Sequence, residues 1–282
     1  MTEIDPASDW CQRWLPGGGQ RWRHKSEGGF DPRDDYEVAP LARDTEPKRF
    51  LAAHHYLIRY PAALLRLGLY HGHSLVGVAV FSMPMNNAVL TRVFPDLVPG
   101  HESMELGRFC VLDPEPGNVE SWFLGQCFRY LATQGVRGVV SFSDPTPRES
   151  HNGKTVFAGH VGTIYQATNF LSAGRTDKRR NVVLPDGSVF TQREEQKLIS
   201  GDQGHAYVLR RLLSNGAPSM LYAERGREYL HRAYAHIGVR IQVELGKHRY
   251  VQTVGKHRDR VRIAVETYDE YPKRVDAATY AA

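Results

Sequence analysis

The alternation of apolar and polar positions divides the chain into a polar lead-in, a central region of clear strand and helix periods, and a less regular tail. Residues 1–45, with "LPGGGQRWRHKSEGGFDPRDD", are rich in Gly, Pro and charge and show no period, which predicts an extended or partly disordered segment. Order is expected to begin at "EPKRFLAAHHYLIRYP", a short helix that Pro61 ends or bends. "LRLGLYHGHSLVGVAVFSMP" predicts two strands joined at "HGHS", and its apolar, β-branched run from Leu75 to Phe81 has the composition of a buried strand. "MELGRFCVL" predicts another strand and "PEPGN" a loop. Asn118 then stands as a helix N-cap with Ser121 in the first turn, and Trp122, Phe123, Cys127, Tyr130 and Leu131 follow at helical spacing until Gly135. "GVVSFS" is a further short apolar strand, so strand, loop, helix and strand follow one another within about 40 residues, as in a βαβ unit. The stretch "GHVGTIYQATNF", residues 159–170, predicts the next helix, starting near the end of that strand, where ligands sit in open α/β sheets.

Beyond residue 176 the pattern weakens. "NVVLPDGSVFT" predicts a hairpin on an Asp-Gly turn, "TQREEQKLISG" and "ERGREYLHRAYAHIG" exposed helices, and "KHRYVQTVG" a strand. The organisation expected is a lead-in over 1–45, a catalytic core over 46–175, and an extension over 176–282 that completes the domain. Charge sharpens this division. The net charge of the 282 residues is only +5, but residues 1–170 hold 16 Lys and Arg against 18 Asp and Glu, whereas residues 171–282 hold 20 against 13. A polyanion such as nucleic acid is a natural partner for that basic end, and a solvated surface is the plainer alternative. Cys11, Cys110 and Cys127 are odd in number and lack CxxC spacing, which argues against a disulfide scaffold and fits a reducing cytoplasm. No apolar run approaches the roughly 20 residues of a membrane span, and the N-terminus lacks a secretory signal pattern. A soluble, cytoplasmic protein is expected.

Several residues stand where chemistry is feasible. Arg108 lies mid-strand on the face opposite Phe109, and a buried arginine either pairs with a carboxylate or awaits an anionic ligand. Asn118 and Ser121 open a helix, where backbone N–H groups favour an anion, although capping alone also explains them. Asp144 ends the strand "GVVSFS", as a general base or as a plain loop carboxylate. Tyr165 and Asn169 share a helical face, with core packing as the plainer role for the tyrosine. His54, His55 and Tyr56 offer a proton shuttle within a chain of 13 histidines. No His or Cys pair has zinc-site spacing, so no metal is expected.

Taken in order, "HHY", "LVGVAVF", "ELGRFCVLD", "NVESWFLG", "GVVSFSDP" and "GHVGTIYQATNF" resemble the phage Mom-like proteins over about residues 50–172, and "KHRYVQTVG" and "YPKR" resemble that family's closing strand and tail. The resemblance implies an α/β (α+β) fold related to the GNAT acyltransferases, a central mixed sheet flanked by helices, here with a basic C-terminal extension. It implies conversion of DNA adenine N6 to a carbamoylmethyl (glycinamide-like) adduct that protects DNA from restriction. It also implies an acyl-CoA-like donor whose phosphates face the helix starting near Asn118, with Ser121 and Arg108 as further donor contacts. The family's site residues fall on Arg108, Ser121, Asp144 and Tyr165, with His55 and Tyr56 beside them. Double-stranded DNA is the implied partner, and the charge pattern of the basic end offers Lys178, Arg179, Arg180, Lys247, Arg249, Lys256 and Arg258 to its phosphates. Two departures stand out: "TPRESHNGKTVFA" lengthens the connection after Asp144, and residues 183–245 exceed what a minimal member requires. Because N6 is a poor nucleophile, a base is needed, with Asp144 first and His55 second, while Tyr165 could polarise the donor carbonyl or bond the extruded base. Simple acetyl transfer gives an amide, whereas carbamoylmethyl is joined through CH₂, so the true donor is not identified by the sequence. An ordinary N-acetyltransferase acting on a small molecule or protein is the alternative, disfavoured by the missing Gly-rich pyrophosphate loop. A non-catalytic DNA-binding module is the third reading.

Overall fold

A computed structural model describes residues 35–57, 59–116, 118–244, 246–257 and 260–273, together with two strands nearer the N-terminus. These two, β1 (Trp10–Trp14) and β2 (Gln20–His24), pair antiparallel. The chain continues through β3 (Tyr36–Pro40), α1 (Thr45–His54), β4 (Ala62–His71), β5 (Ser74–Met83), the single turn α2 (Ala88–Thr91), β6 (Ser103–Val111), α3 (Val119–Thr133) and β7 (Gly138–Ser143). Then come β8 (Arg148–Glu149), β9 (Thr155–Phe157), α4 (Thr163–Ala167), β10 (Leu171–Arg175), β11 (Arg179–Val183) and β12 (Val189–Phe190). Helices α5 (Gln192–Ser200), α6 (His205–Ser214) and α7 (Gly226–Ile237) follow, then β13 (Arg240–Glu244) and β14 (His248–Thr253). The described residues form two compact units, one holding residues up to Asp144, His160–Arg175 and the segment from His248, the other Pro145–Gly159 and Thr176–Lys247.

The first unit is a seven-stranded mixed sheet flanked by helices, the α/β class expected. Its strand order is β10-β14-β7-β6-β5-β4-β3, antiparallel except between β6 and β7. Both faces are covered, which explains the unbroken apolar run in β5. Ala79 and Phe81 pack with Leu67, Leu69 and the α3 residues Phe123, Leu124, Cys127 and Leu131, while Val78 and Val80 meet Phe50 and Leu51 of α1 on the other side. Val139 and Val140 divide in the same way, Val140 facing Leu90 of α2. The expected lead-in over 1–45 is corrected at its end: Tyr36–Pro40 is an edge strand, where a proline is tolerated and where Tyr36 and Val38 reach the core. Most of residues 1–34 lie outside the described residues.

The one parallel strand pair among the described residues separates early. Ser103, Met104 and Glu105 pair with Gly138, Val139 and Val140, and pairing then stops although β6 runs on to Val111 and β7 to Ser143. On its other edge β6 bulges at the same level: Val80 pairs with Arg108 and Phe81 with Leu106, leaving Gly107 as the extra residue.

The second unit has its own apolar core of Leu184, Phe190, Leu198, Val208, Leu212, Tyr229, Leu230 and Ala233. The Asp-Gly hairpin forms as β11 and β12, and β13 adds to β11 to give a three-stranded antiparallel sheet. The capping box of Thr191 with Glu194 starts α5, and Gly201 in a left-handed conformation ends it. Two expectations change here. The helices α5 and α7 are not merely exposed, since Leu198, Tyr229, Leu230 and Ala233 are buried. The span 176–282 is not one extension, because residues 176–247 join the 145–159 insertion in this unit while β14 returns to the first sheet. The buried pair Arg148–Glu244, at 3.4 Å, and the ion pair of half-buried Arg211 with buried Glu194 tie the unit internally. Among the described residues no helix is long and apolar enough to cross a membrane.

Candidate active site

Where β6 leaves β7, polar side chains from separate segments of the first unit converge. The bulge at Gly107 presents Arg108, whose guanidinium donates to the backbone carbonyls of Gly107 and Arg59. Its buried Nε has no hydrogen-bond partner, and no carboxylate among the described residues pairs with it. Burial lowers its pKa, partly opposed by Tyr56, Glu105 and Tyr165. Of the two roles open from the sequence, the salt bridge is therefore not formed.

Helix α1 ends where His55 adopts an extended backbone and its N–H reaches the Leu51 carbonyl at 2.9 Å. His55 Nδ1 accepts the Leu57 N–H at 2.9 Å, which assigns the ring proton to Nε2. Burial, then the charges of Arg108 and His160, push its pKa down to about 3. At neutral pH His55 is thus a neutral hydrogen-bond donor, which corrects its expected second place as a base. His54 leans instead on Phe50, ring centroids 4.9 Å apart. Tyr56 stacks on His55 at 4.4 Å, and its hydroxyl meets His160 Nε2 at 2.9 Å.

His160 was not among the candidates. Thirteen histidines hid it, and its only signal was the pair of glycines around it. Gly159 and Gly162 both have φ of 72°, the left-handed region that favours glycine, and a Cβ at Gly162 would lie 2.5 Å from the Tyr165 ring. The small residues of "GHVGTIYQATNF" therefore hold a tight loop, and α4 is only five residues long. The His160 N–H bonds the carbonyl of Asp144 at 2.8 Å. Asp144 itself is the buried residue directly after β7.

Tyr165 is 6% exposed and packs against Tyr250 at 4.7 Å and Phe170 at 5.2 Å. Its hydroxyl bonds Ser141 Oγ at 2.7 Å and the Phe142 carbonyl at 3.4 Å, covering the part of β7 that β6 has left. Burial raises its pKa to about 12. The expected common face with Asn169 is not formed, since α4 stops at Ala167 and Asn169 takes a left-handed φ of 58°.

Asn169 instead lines a cleft of about 430 Å³ with Asn118, Ser121, Trp122, Gly125, Phe128, Ala167 and Thr168. Asn118 stands at the N-cap of α3, as expected, but in a left-handed conformation, φ 72°, and its side chain makes no capping bond. Ser121 Oγ donates to the Asn118 carbonyl at 3.0 Å.

The basic residues divide between the units. Lys178, Arg179 and Arg180 are exposed in the second, which also holds the half-buried Lys247. In the first, Lys256 is exposed and Arg249 Nε is bonded to the Ala173 carbonyl at 3.0 Å. Arg258 lies outside the described residues. Arg175 donates to the His248 ring at 3.2 Å, and burial, then the charge of Arg175, lower the His248 pKa to about 4. Among the described residues no group of three or more His, Cys, Asp or Glu is arranged to hold a metal ion.

The Mom protein family matches residues 35–273 of the chain. The chain belongs to that family. The match extends through both units, so the second unit lies within the Mom-family span. No curated protein matches the chain. Among solved structures, a GNAT family acetyltransferase from Elizabethkingia anophelis with acetyl-CoA bound is 12% identical over 78% of this chain and 99% of its own, with a TM-score of 0.34. A tandem GNAT protein from the clavulanic acid biosynthesis pathway is 7% identical over 78% and 99%, with a TM-score of 0.41. The GNAT domain of an S. lividans protein is 14% identical over 66% and 97%, with a TM-score of 0.30. In this Mom-family chain, His55, Tyr56, Arg108 and Tyr165 share one electrostatic neighbourhood, Asp144 joins it through His160, and Asn118 and Ser121 line the α3 cleft.

Proposed function

We propose that this protein is a DNA modification enzyme, a transferase that converts adenine N6 to a carbamoylmethyl (glycinamide-like) adduct and so protects DNA from restriction. Membership of the Mom family supports DNA modification. The observation that carries an enzymatic reading is the half-buried Arg108 guanidinium, with its Nε buried and no carboxylate partner, beside the neutral donor His55 at the point where the parallel strands part. A buried cation without a carboxylate is costly unless an anionic or strongly polar ligand completes it.

The chain also fits an acyl-CoA-like donor. The unpaired edges of β6 and β7 suit an extended, amide-bearing arm, and the first turns of α3, with Asn118 and Ser121 on the cleft, suit its phosphates. When bound, such a donor supplies an activated two-carbon unit. Carbamoylmethyl is joined through CH₂, so the chemistry differs from plain acetyl transfer. Arg108 and His55 orient a carbonyl or anionic oxygen. Tyr165 holds the strand end through Ser141 and Phe142, and Asp144 supplies negative charge where N6 loses its proton. Duplex adenine must first be extruded, at a cost of a few kcal/mol. Lys178, Arg179, Arg180, Lys247, Arg249, Lys256 and Arg258 are the proposed backbone contacts.

Plasmid DNA from cells making the protein is expected to resist restriction enzymes whose sites contain adenine. DNA from cells making Asp144→Asn, whose side chain keeps the shape but loses the charge, is expected to be cut normally. Normal cutting of DNA from wild-type producers would count against protection.

A further inference from the structure

Tyr56 and His160 are 104 residues apart in sequence and meet at 2.9 Å between the phenol oxygen and Nε2. Tyr56 is 38% exposed, so its side chain lies at the surface of the site rather than in the core. His55 supports the phenol ring from one side, and the tilted His160 ring lies 5.6 Å away between centroids. His160 has little latitude. Its N–H is bound to the Asp144 carbonyl, and a Cβ at the preceding Gly159 would collide with the carbonyl oxygen of Pro145. Three of the neighbouring groups are poorly suited to take a proton from a neutral amine. Arg108 is a cation, the Nδ1 lone pair of His55 is engaged by Leu57, and the Tyr165 phenol is buried and already bonded.

We propose that Tyr56 and His160 form a proton relay for the substrate amine. The inference rests on the adenine N6 reading above. As the N6 lone pair forms the new bond to the donor's electrophilic carbon, the donor's leaving group departs with its bonding pair. Tyr56 Oη takes the N6 proton and passes its own to His160 Nε2, and the N–H electron pair stays on nitrogen. Tyrosine ends neutral, the adduct nitrogen ends neutral, and His160 ends as an imidazolium that returns its proton to the leaving group or to water. The backbone N–H of His160 is bound to the backbone carbonyl of Asp144, which fixes where the histidine stands relative to the end of β7.

The test compares modified adenine, measured by nucleoside mass spectrometry, in cells making wild type, Tyr56→Phe, His160→Gln and the double variant, with melting of each purified protein as a control for folding. Each single change is expected to lower modification about 10²- to 10⁴-fold. The double change is expected to cost no more than one single, because either alone breaks the relay. Near-normal modification in a single variant, or losses that multiply in the double, overturn the relay. A second measurement is independent of turnover. Tyr56 donating to Nε2 keeps the neutral His160 proton on Nδ1, so ring ¹⁵N shifts are expected to report that tautomer in wild type and a mixture in Tyr56→Phe. Identical shifts in the two proteins overturn the pair. If wild type yields no modified adenine, the adenine reading fails, and the ring shifts alone decide whether the pair exists.

Discussion

His55 ends α1 with its side chain half-buried and its Nδ1 tied to the backbone, and this has a consequence for stability. Its pKa falls from 6.5 to about 3, so between those values the unfolded chain binds a proton that the folded chain does not. Folding therefore weakens as the pH drops through that window, and His248, lowered to about 4, adds to the trend. Denaturant titrations from about pH 4 to pH 7 are expected to show a shallower acid dependence for His55→Gln, by up to about one proton in slope, with little change above pH 7. An equal slope in both proteins would mean that the ring is hydrated. Arg108 makes a different demand. Its guanidinium spans two backbone carbonyls and keeps further N–H groups in a fixed plane, so Arg108→Lys is expected to fold but to lose most of the modified adenine. Retention of modification in that variant would reduce Arg108 to a structural role. Arg108, Asp144, His55 and Tyr56 could be singled out from residue type and position. The tautomer of His55 and the partner of Tyr56 could not, because both depend on neighbours remote in sequence.

The elements with strong periods, β4 to β7 and α3, were legible because both sheet faces and one helix face are apolar. Short strands escaped: β8, β9, β10 and β13 have five residues or fewer, too few to show a period, and α4 is cut short by the turn at Gly162. Helix α6, absent from the expected elements, does carry a readable period in Val208 and Leu212. The parting of β6 from β7 was also hidden, since register and bulges are set by packing across strands. Gly107 is where this can be probed. A Cβ there would collide with Oγ of Ser82, which is 1% exposed, and would lie 3.4 Å from Pro61. Gly107→Ala is expected to cost about 1–3 kcal/mol, as overpacking of a tight site does. Adding Ser82→Ala removes the colliding oxygen and is expected to restore most of the loss. Urea unfolding of the two variants checks this, and a Gly107→Ala protein as stable as wild type would show that the bulge has room.

Two cores in one chain were not legible, because the second unit is assembled from residues 145–159 and 176–247, on either side of α4 and β10. The excess of positive charge toward the C-terminus was legible, as charge needs no contacts to be counted. Lys178, Arg179 and Arg180 lie exposed together at the start of β11 and the residue before it. If they contact phosphates, replacing all three by Ala is expected to weaken duplex binding alike for every sequence and to flatten the slope of log affinity against log salt by about 2 to 3. An unchanged slope would put the DNA path elsewhere. The central claim concerns the base rather than the backbone. It is tested most directly by tandem mass spectrometry of nucleosides from the DNA of cells making wild type or Asp144→Asn. The expected result is an adenine nucleoside carrying the carbamoylmethyl group on its base, present with wild type and absent with the variant. Unmodified adenine in the wild-type sample, together with newly acetylated amines on small molecules or proteins, would contradict the account.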